Sequence, residues 1–207
     1  MRAHFLGRIS FSEALRAERE AYCAVVAGAS GVVLGFECEK VITLGVRART
    51  DVDLARDELE LRNEGFEVVR VDRGGQATLH NPGQLVIFPV VNIREGGARV
   101  WVCALAKATV NCLRHFGAEV EWDEKRPGIY SSQGKMAAIG VRIRQGVSTH
   151  GVAINVSNSL KDFAAIRACG VVDAAVDKLG TGSELNEVFR VWLEQFHQQW
   201  PTPIARC

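Results

Sequence analysis

The chain has 207 residues, 47% of them hydrophobic and 24% charged, the make-up of a globular domain with a sizeable core, which excludes disordered, collagen-like and low-complexity classes. Lys plus Arg total 25 against 24 Asp plus Glu, a net charge of +1, so nothing global points to nucleic acid or to an acidic membrane. The longest apolar stretches, such as Leu85 to Val91, are far short of the roughly 18 residues a bilayer span needs, and Met1 to Phe5 lacks the apolar core of a secretory signal.

In chain order, Phe5 to Ile9 reads as a strand, and Ser10 or Ser12 caps an amphipathic helix running to about Ala27, with Glu13 placed for a capping box with Ser10. Gly31 to Glu37 and Val41 to Leu44 read as paired strands. Asp53 to Glu64 is a charged helix ended by Gly65, and Phe66 to Val71 alternates as a half-buried strand does. Arg73 to Gln84 packs three glycines, a proline and several polar residues between two apolar strands, which predicts an irregular loop. The strand Leu85 to Ile93 follows, then a buried helix from Ala98 to Phe116 stopped by Gly117. Strands are expected at Gly128 to Ser131, Met136 to Arg144 and Gly151 to Val156. A short helix near Leu160 to Ile166 and a terminal one from about Ser183 to Trp200 complete an α+β chain, a mixed sheet with helices on one side. One domain over 1–207 is expected, in the cytoplasm.

The six cysteines are scattered, with no Cys-x-x-Cys pair for zinc or redox work, and five histidines show no ligand spacing, so no metal is expected. Most thiols, Cys103 and Cys112 among them, read as small buried hydrophobes. Cys169, beside Arg167 and Gly170 and just past a helical pattern, reads as presented on a loop. Phosphate-binding signatures fail: Gly128 to Lys135 has one residue too many for a Walker A loop, with Met136 where Ser or Thr is needed, and Gly180-Thr181-Gly182 lacks the third glycine of a dinucleotide fingerprint. A thiol with pKa about 8.5 needs a neighbouring cation to react at neutral pH. Lys135, opening the small-residue strand Gly134-Lys135-Met136-Ala137-Ala138-Ile139-Gly140, is the strongest candidate; a solvated strand-edge lysine is the alternative.

Four blocks in order, Arg73-Gly74-Gly75-Gln76-x-Thr78-x-His80-x-Pro82-Gly83-Gln84, Gly134-Lys135-x-Ala137-Ala138-Ile139-Gly140-Val141, His150-Gly151-x-Ala153-x-Asn155 and Cys169-Gly170-Val171, together resemble the lipoyl(octanoyl) transferase family. Departures are Leu79, Asn81 and Ala168, where that family usually has Tyr, Gly and Pro. The resemblance implies the fold of biotin and lipoate protein ligase catalytic domains, a mixed sheet with flanking helices. It further implies an octanoyl group moving from octanoyl-acyl carrier protein, through a Cys169 thioester, to a lysine on lipoyl domains of 2-oxoacid dehydrogenases and the glycine-cleavage H protein. Lys135 lowers the Cys169 pKa, and no cofactor is needed.

Acyl binding is implied for Arg73, Gly74, Gly75, Gln76, Ala77, Thr78, Leu79 and His80, for Ala138, Ile139 and Gly140, and for Gly151, Val152 and Ala153, whose small side chains leave a slot against backbone. Backbone N–H groups near Gly170 or in the Arg73 to Gly75 loop are alternative oxyanion donors, the resemblance gives His80 and His150 a role in orienting loop or backbone where the residues alone read as structural histidines, and Arg47, Arg49, Arg142 and Arg144 are candidate docking charges for an acidic carrier, with a solvated face as the alternative reading of each. The rival readings are an ATP-dependent lipoate or biotin ligase, a non-catalytic acyl-carrier-binding module and a thioesterase.

Overall fold

The computed structural model describes residues 1–93, 97–167, 175–180 and 182–200. Strand β1 (Arg2–Ile9) leads into helix α1 (Phe11–Val26). Ser10 caps this helix by the reciprocal pair predicted: its hydroxyl accepts from the Glu13 N–H, and the Glu13 carboxylate accepts from the Ser10 N–H at 2.8 Å. Then follow β2 (Val32–Cys38), β3 (Val41–Leu44), the single turns α2 (Thr50–Asp53) and α3 (Glu58–Asn63), β4 (Glu67–Arg70), β5 (Ala77–His80) and β6 (Gln84–Asn92). Helix α4 (Gly97–His115), β7 (Glu121–Asp123), β8 (Gly128–Tyr130), β9 (Lys135–Arg144), β10 (Val147–Asn155), a 3-10 helix (Leu160–Ala165) and α5 (Leu185–Gln199) complete the order.

Seven strands form the main sheet in the order β1-β2-β6-β10-β9-β8-β7, and three form a smaller one, β4-β3-β5. Among the described strands of the main sheet only β1 and β2 run parallel; in the smaller one β3 is parallel to β4 and antiparallel to β5. The expected pairing of the segments around β2 and β3 is therefore corrected. Two residues separate them, yet β2 joins the main sheet, where it finds the longer apolar strand β6, while β3 pairs with β4 and β5 in the small one.

The central strands are apolar on both faces because both are covered. On one face α4 and α5 pack Trp101, Leu105, Phe189, Trp192 and Phe196 against Leu85, Ile87, Val152 and Ile154. On the other, Phe11 and Ala14 of α1 meet Leu34, Phe36, Val86, Phe88 and Ala153. Helices thus flank both faces, which corrects the one-sided arrangement: α1 carries its own apolar stripe and needs its own surface to bury it. The small sheet, with Leu54, Leu61 and Phe66, closes a separate core over Ile42, Leu44 and Leu79. Asp53 to Glu64 is not one helix but α2 and α3, because Leu54 turns into that core while its backbone leaves helical geometry. No helix among the described residues is long and apolar enough to cross a membrane.

Candidate active site

Between β6, β10 and β9, the 73–80 segment and the first turns of α4 lies a cavity of about 500 Å³, within the usual range for small-molecule sites. Its floor is made by residues with little side chain, Ala137, Ala138, Gly140, Gly151 and Ala153. One wall is the 73–76 loop, which is strapped at both ends. Gly45 N–H bonds the Gln76 carbonyl at 3.2 Å, Arg47 N–H the Gly75 carbonyl at 3.1 Å, and Gly74 N–H the Val141 carbonyl of β9 at 3.0 Å. That last bond occupies Gly74's N–H, so it is removed from the set of oxyanion donors. Gly140 suits the same packing: a Cβ there would stand 3.1 Å from Arg73 Cδ and 3.3 Å from the Gly74 carbonyl oxygen, closer than ordinary van der Waals contact.

Arg73 is buried, and its guanidinium donates to the Thr43 carbonyl at 2.7 Å, the Thr43 hydroxyl at 2.8 Å and the Gly74 carbonyl at 3.0 Å. Among the described residues no carboxylate pairs with it, and burial pulls its pKa down to about 10. It remains a cation at neutral pH in the cavity wall.

Lys135 opens β9 and lines the same cavity. Its Nζ is 5.3 Å from the centroid of the Tyr130 ring and 3.5 Å from the Pro127 carbonyl oxygen, and among the described residues no carboxylate holds it. Its main chain is held firmly. Lys135 N–H donates to the Ala175 carbonyl at 2.9 Å, and its own carbonyl accepts from Asp177 N–H at 3.0 Å, a parallel bridge to Val176. Gly134 permits that approach, since a Cβ there would fall 2.5 Å from the Ala175 carbonyl carbon. On the other side of 168–174, Arg167 N–H bonds the Asp53 carbonyl at 2.8 Å and Ile166 bridges Leu54. Ile166 and Val176 both line the cavity.

Buried polar side chains complete the wall. Gln84 donates through Nε2 to the Leu79 carbonyl at 3.2 Å and to Asn155 Oδ1 at 2.9 Å, which fixes its amide orientation because a carbonyl only accepts. Its Oε1, 2.7 Å from His80 Nδ1, must then accept, so His80 carries its proton on Nδ1. Burial pushes the His80 pKa down to about 4, against a smaller upward pull from Gln84, and the neutral ring stacks on Phe11 at 5.8 Å. His150 adopts φ +55°, a left-handed conformation uncommon outside glycine. Its N–H donates to the Glu18 carboxylate in a short bond, and its Nε2 is 2.9 Å from Asp72 Oδ1. Burial raises the Glu18 pKa, opposed by the charge and N–H of His150.

Of the residues expected to bind an acyl chain, Arg73, Gly74, Gly75, Gln76, Ala77, Thr78, His80, Ala138, Ile139, Gly140, Gly151, Val152 and Ala153 line this one cavity, with Lys135. Leu79 does not. Alternation along β5, a strand inside the segment expected to be an irregular loop, turns it into the small-sheet core, where it is fully buried. Cys169 lies outside the described residues. Arg47 lines the cavity, whereas Arg49 is paired with Asp51 at 2.7 Å and Arg142 lies 4.0 Å from Asp72. Cys38 and Cys112 are buried free thiols, and burial raises both to about 12. Cys103 is buried, as expected, and lines the cavity. Sequence reasoning quoted Gln84 and Asn155 within its motifs without assigning them to the site, and it missed Phe11, Val86 and Phe88, which look like ordinary core in a linear chain. Among the described residues no cluster of His, Cys, Asp and Glu is arranged to hold a metal.

Residues 11–197 match the lipoyl protein ligase A/B catalytic domain family. An octanoyltransferase of Maridesulfovibrio salexigens is 34% identical over 198 residues, covering 92% of this chain and 92% of that protein. Among solved structures, a lipoate-protein ligase A bound with ATP superposes with a TM-score of 0.83 at 16% identity, covering 100% of this chain and 87% of the other. Protein Ta0514 from T. acidophilum, a putative lipoate protein ligase with bound lipoic acid, gives 0.78 at 18%, covering 96% and 85%. At such identities the two structures show a shared fold.

Proposed function

The chain belongs to the lipoyl protein ligase A/B catalytic domain family and is an acyltransferase of the octanoyltransferase kind acting in protein lipoylation, and from that premise we propose that it works through a Cys169 thioester with Lys135 as partner. The donor in this reading is octanoyl-acyl carrier protein, and the acceptor a lysine of lipoyl domains on 2-oxoacid dehydrogenases or the glycine-cleavage H protein. In the first half-reaction the Cys169 thiolate, paired with the Lys135 ammonium, attacks the donor thioester carbonyl. The carrier's sulfur leaves with the proton of Lys135, so the acyl-enzyme forms beside a neutral amine. In the second, a neutral acceptor lysine attacks the acyl-thioester, Lys135 takes the amine's proton, and the thiolate and ammonium are restored. Thioester exchange is near balance and amide formation is downhill, so no nucleotide is consumed.

The observation that carries this reading is Lys135: a lysine in an apolar cavity wall, unpaired with any described carboxylate, whose backbone bonds the segment that follows Cys169. The thirteen expected acyl-binding positions that line the cavity form the proposed acyl slot.

Octanoyl transfer to a lipoyl domain, followed by mass of the acceptor, separates this from the ligase reading. Transfer from octanoyl-carrier without ATP is expected, as is its loss in Cys169→Ala. Activity that requires free octanoate plus ATP and persists in Cys169→Ala would replace it with adenylate chemistry.

A further inference from the structure

Asn155, at the end of β10, is 4% exposed and satisfies its whole side-chain amide inside the protein. Its Oδ1 accepts from Gln84 Nε2 at 2.9 Å and from Asn158 Nδ2 at 3.2 Å. Its Nδ2 donates to the Asp177 carbonyl at 2.9 Å and to the Lys135 carbonyl at 3.3 Å. One amide therefore joins the main chain of the cavity lysine to the main chain of the segment that returns from 168–174. The neighbouring bonds all tighten the same joint: Leu179 N–H donates to the Asn155 carbonyl and Asp177 N–H to the Lys135 carbonyl, each at 3.0 Å. The Asp177 carboxylate accepts from the Ser131 hydroxyl and the Lys178 N–H. Among the described residues, the groups in contact with Lys135 Nζ are the Tyr130 ring and the Pro127 carbonyl.

We propose that Asn155 is a positioning residue that sets the register between the Lys135 strand and the 175–180 segment, and through it the approach of Lys135 to the nucleophilic thiol. This rests on the reading of Cys169 and Lys135 given above. A carbonyl-to-carbonyl clamp needs two donors on one planar group, which asparagine supplies and aspartate does not. Misplacement on the scale of 1 Å costs catalysis on the order of a hundredfold, and a thiolate loses its stabilising charge as the ammonium recedes.

The test is the pH profile of Cys169 alkylation by iodoacetamide, followed by peptide mapping of the full-length chain and accompanied by thermal melting. For the wild type, an inflection below the ordinary thiol value of about 8.5 is expected, and Lys135→Ala should raise it to that value. Asn155→Ala should move it upward by about one pH unit, a roughly tenfold slower alkylation at neutral pH. Asn155→Asp should move it at least as far, while Asn155→Ser, which keeps one donor, should give an intermediate shift and covers the case in which the alanine variant does not fold. A folded Asn155→Ala or Asn155→Ser protein with the wild-type inflection, beside a shifted Lys135→Ala, overturns the role of Asn155 alone. An inflection that Lys135→Ala leaves in place overturns the dyad reading and this inference with it.

Discussion

His80 is neutral because it is buried among apolar and neutral polar groups, and its Nδ1–H is spoken for by Gln84. Its folded pKa, about 4, lies below the ordinary 6.5, so the unfolded chain binds more protons between those values. Stability therefore rises with pH across that window and is lost as pH falls from about 6.5 to about 4, by an amount on the order of a few kcal/mol. Urea unfolding at several pH values should show this slope in the wild type and a flatter one in His80→Asn, which keeps an N–H near Nδ1. Equal slopes would mean His80 titrates normally. Gly134 gives a second residue-level prediction. A methyl group there meets the Ala175 backbone at 2.5 Å, so Gly134→Ala must displace the 175–177 segment from Lys135. Transfer rate should fall about a hundredfold while the melting temperature, set by the distant cores, changes little; a rate within threefold of wild type would argue against that pairing.

At the scale of elements, what was legible in the sequence depended on the range of the interaction. Helix α1 was readable because Ser10 and Glu13 are three residues apart and cap it locally. Removing that cap in Ser10→Ala should lower unfolding free energy by about 1 kcal/mol, measured by denaturant unfolding, with no change in transfer activity. Helix α4 was readable from its apolar spacing, although its partner was not: Trp192 of α5 donates to the Thr109 hydroxyl at 2.9 Å across 83 residues. β5 was hidden inside a glycine-rich stretch because four residues, Ala77 to His80, carry too little alternation to be seen, and their pairing with β3 is long-range. For the same reason β2 and β3 read as partners. Their separation into two sheets is decided by strands more than thirty residues away.

For the whole molecule, the four sequence blocks come from separate parts of the chain, and folding brings three of them around one cavity: the 73–80 segment against the Val141 end of β9, with β10 between β9 and β6. The chemistry-bearing residue types were visible as motifs, but the features that tune them were not. The Asn155 clamp, the proton on His80 Nδ1 and the two carboxylates on His150 are products of tertiary contact. In the proposed mechanism the acyl group passes through the sulfur of Cys169 on its way to the acceptor lysine. Intact-protein and peptide mass spectrometry after incubation with octanoyl-acyl carrier protein tests it most directly. One octanoyl group should appear on Cys169 and vanish when a lipoyl domain is added, with the acceptor gaining it. Undiminished transfer by a protein that never carries an octanoyl group on Cys169 would contradict it.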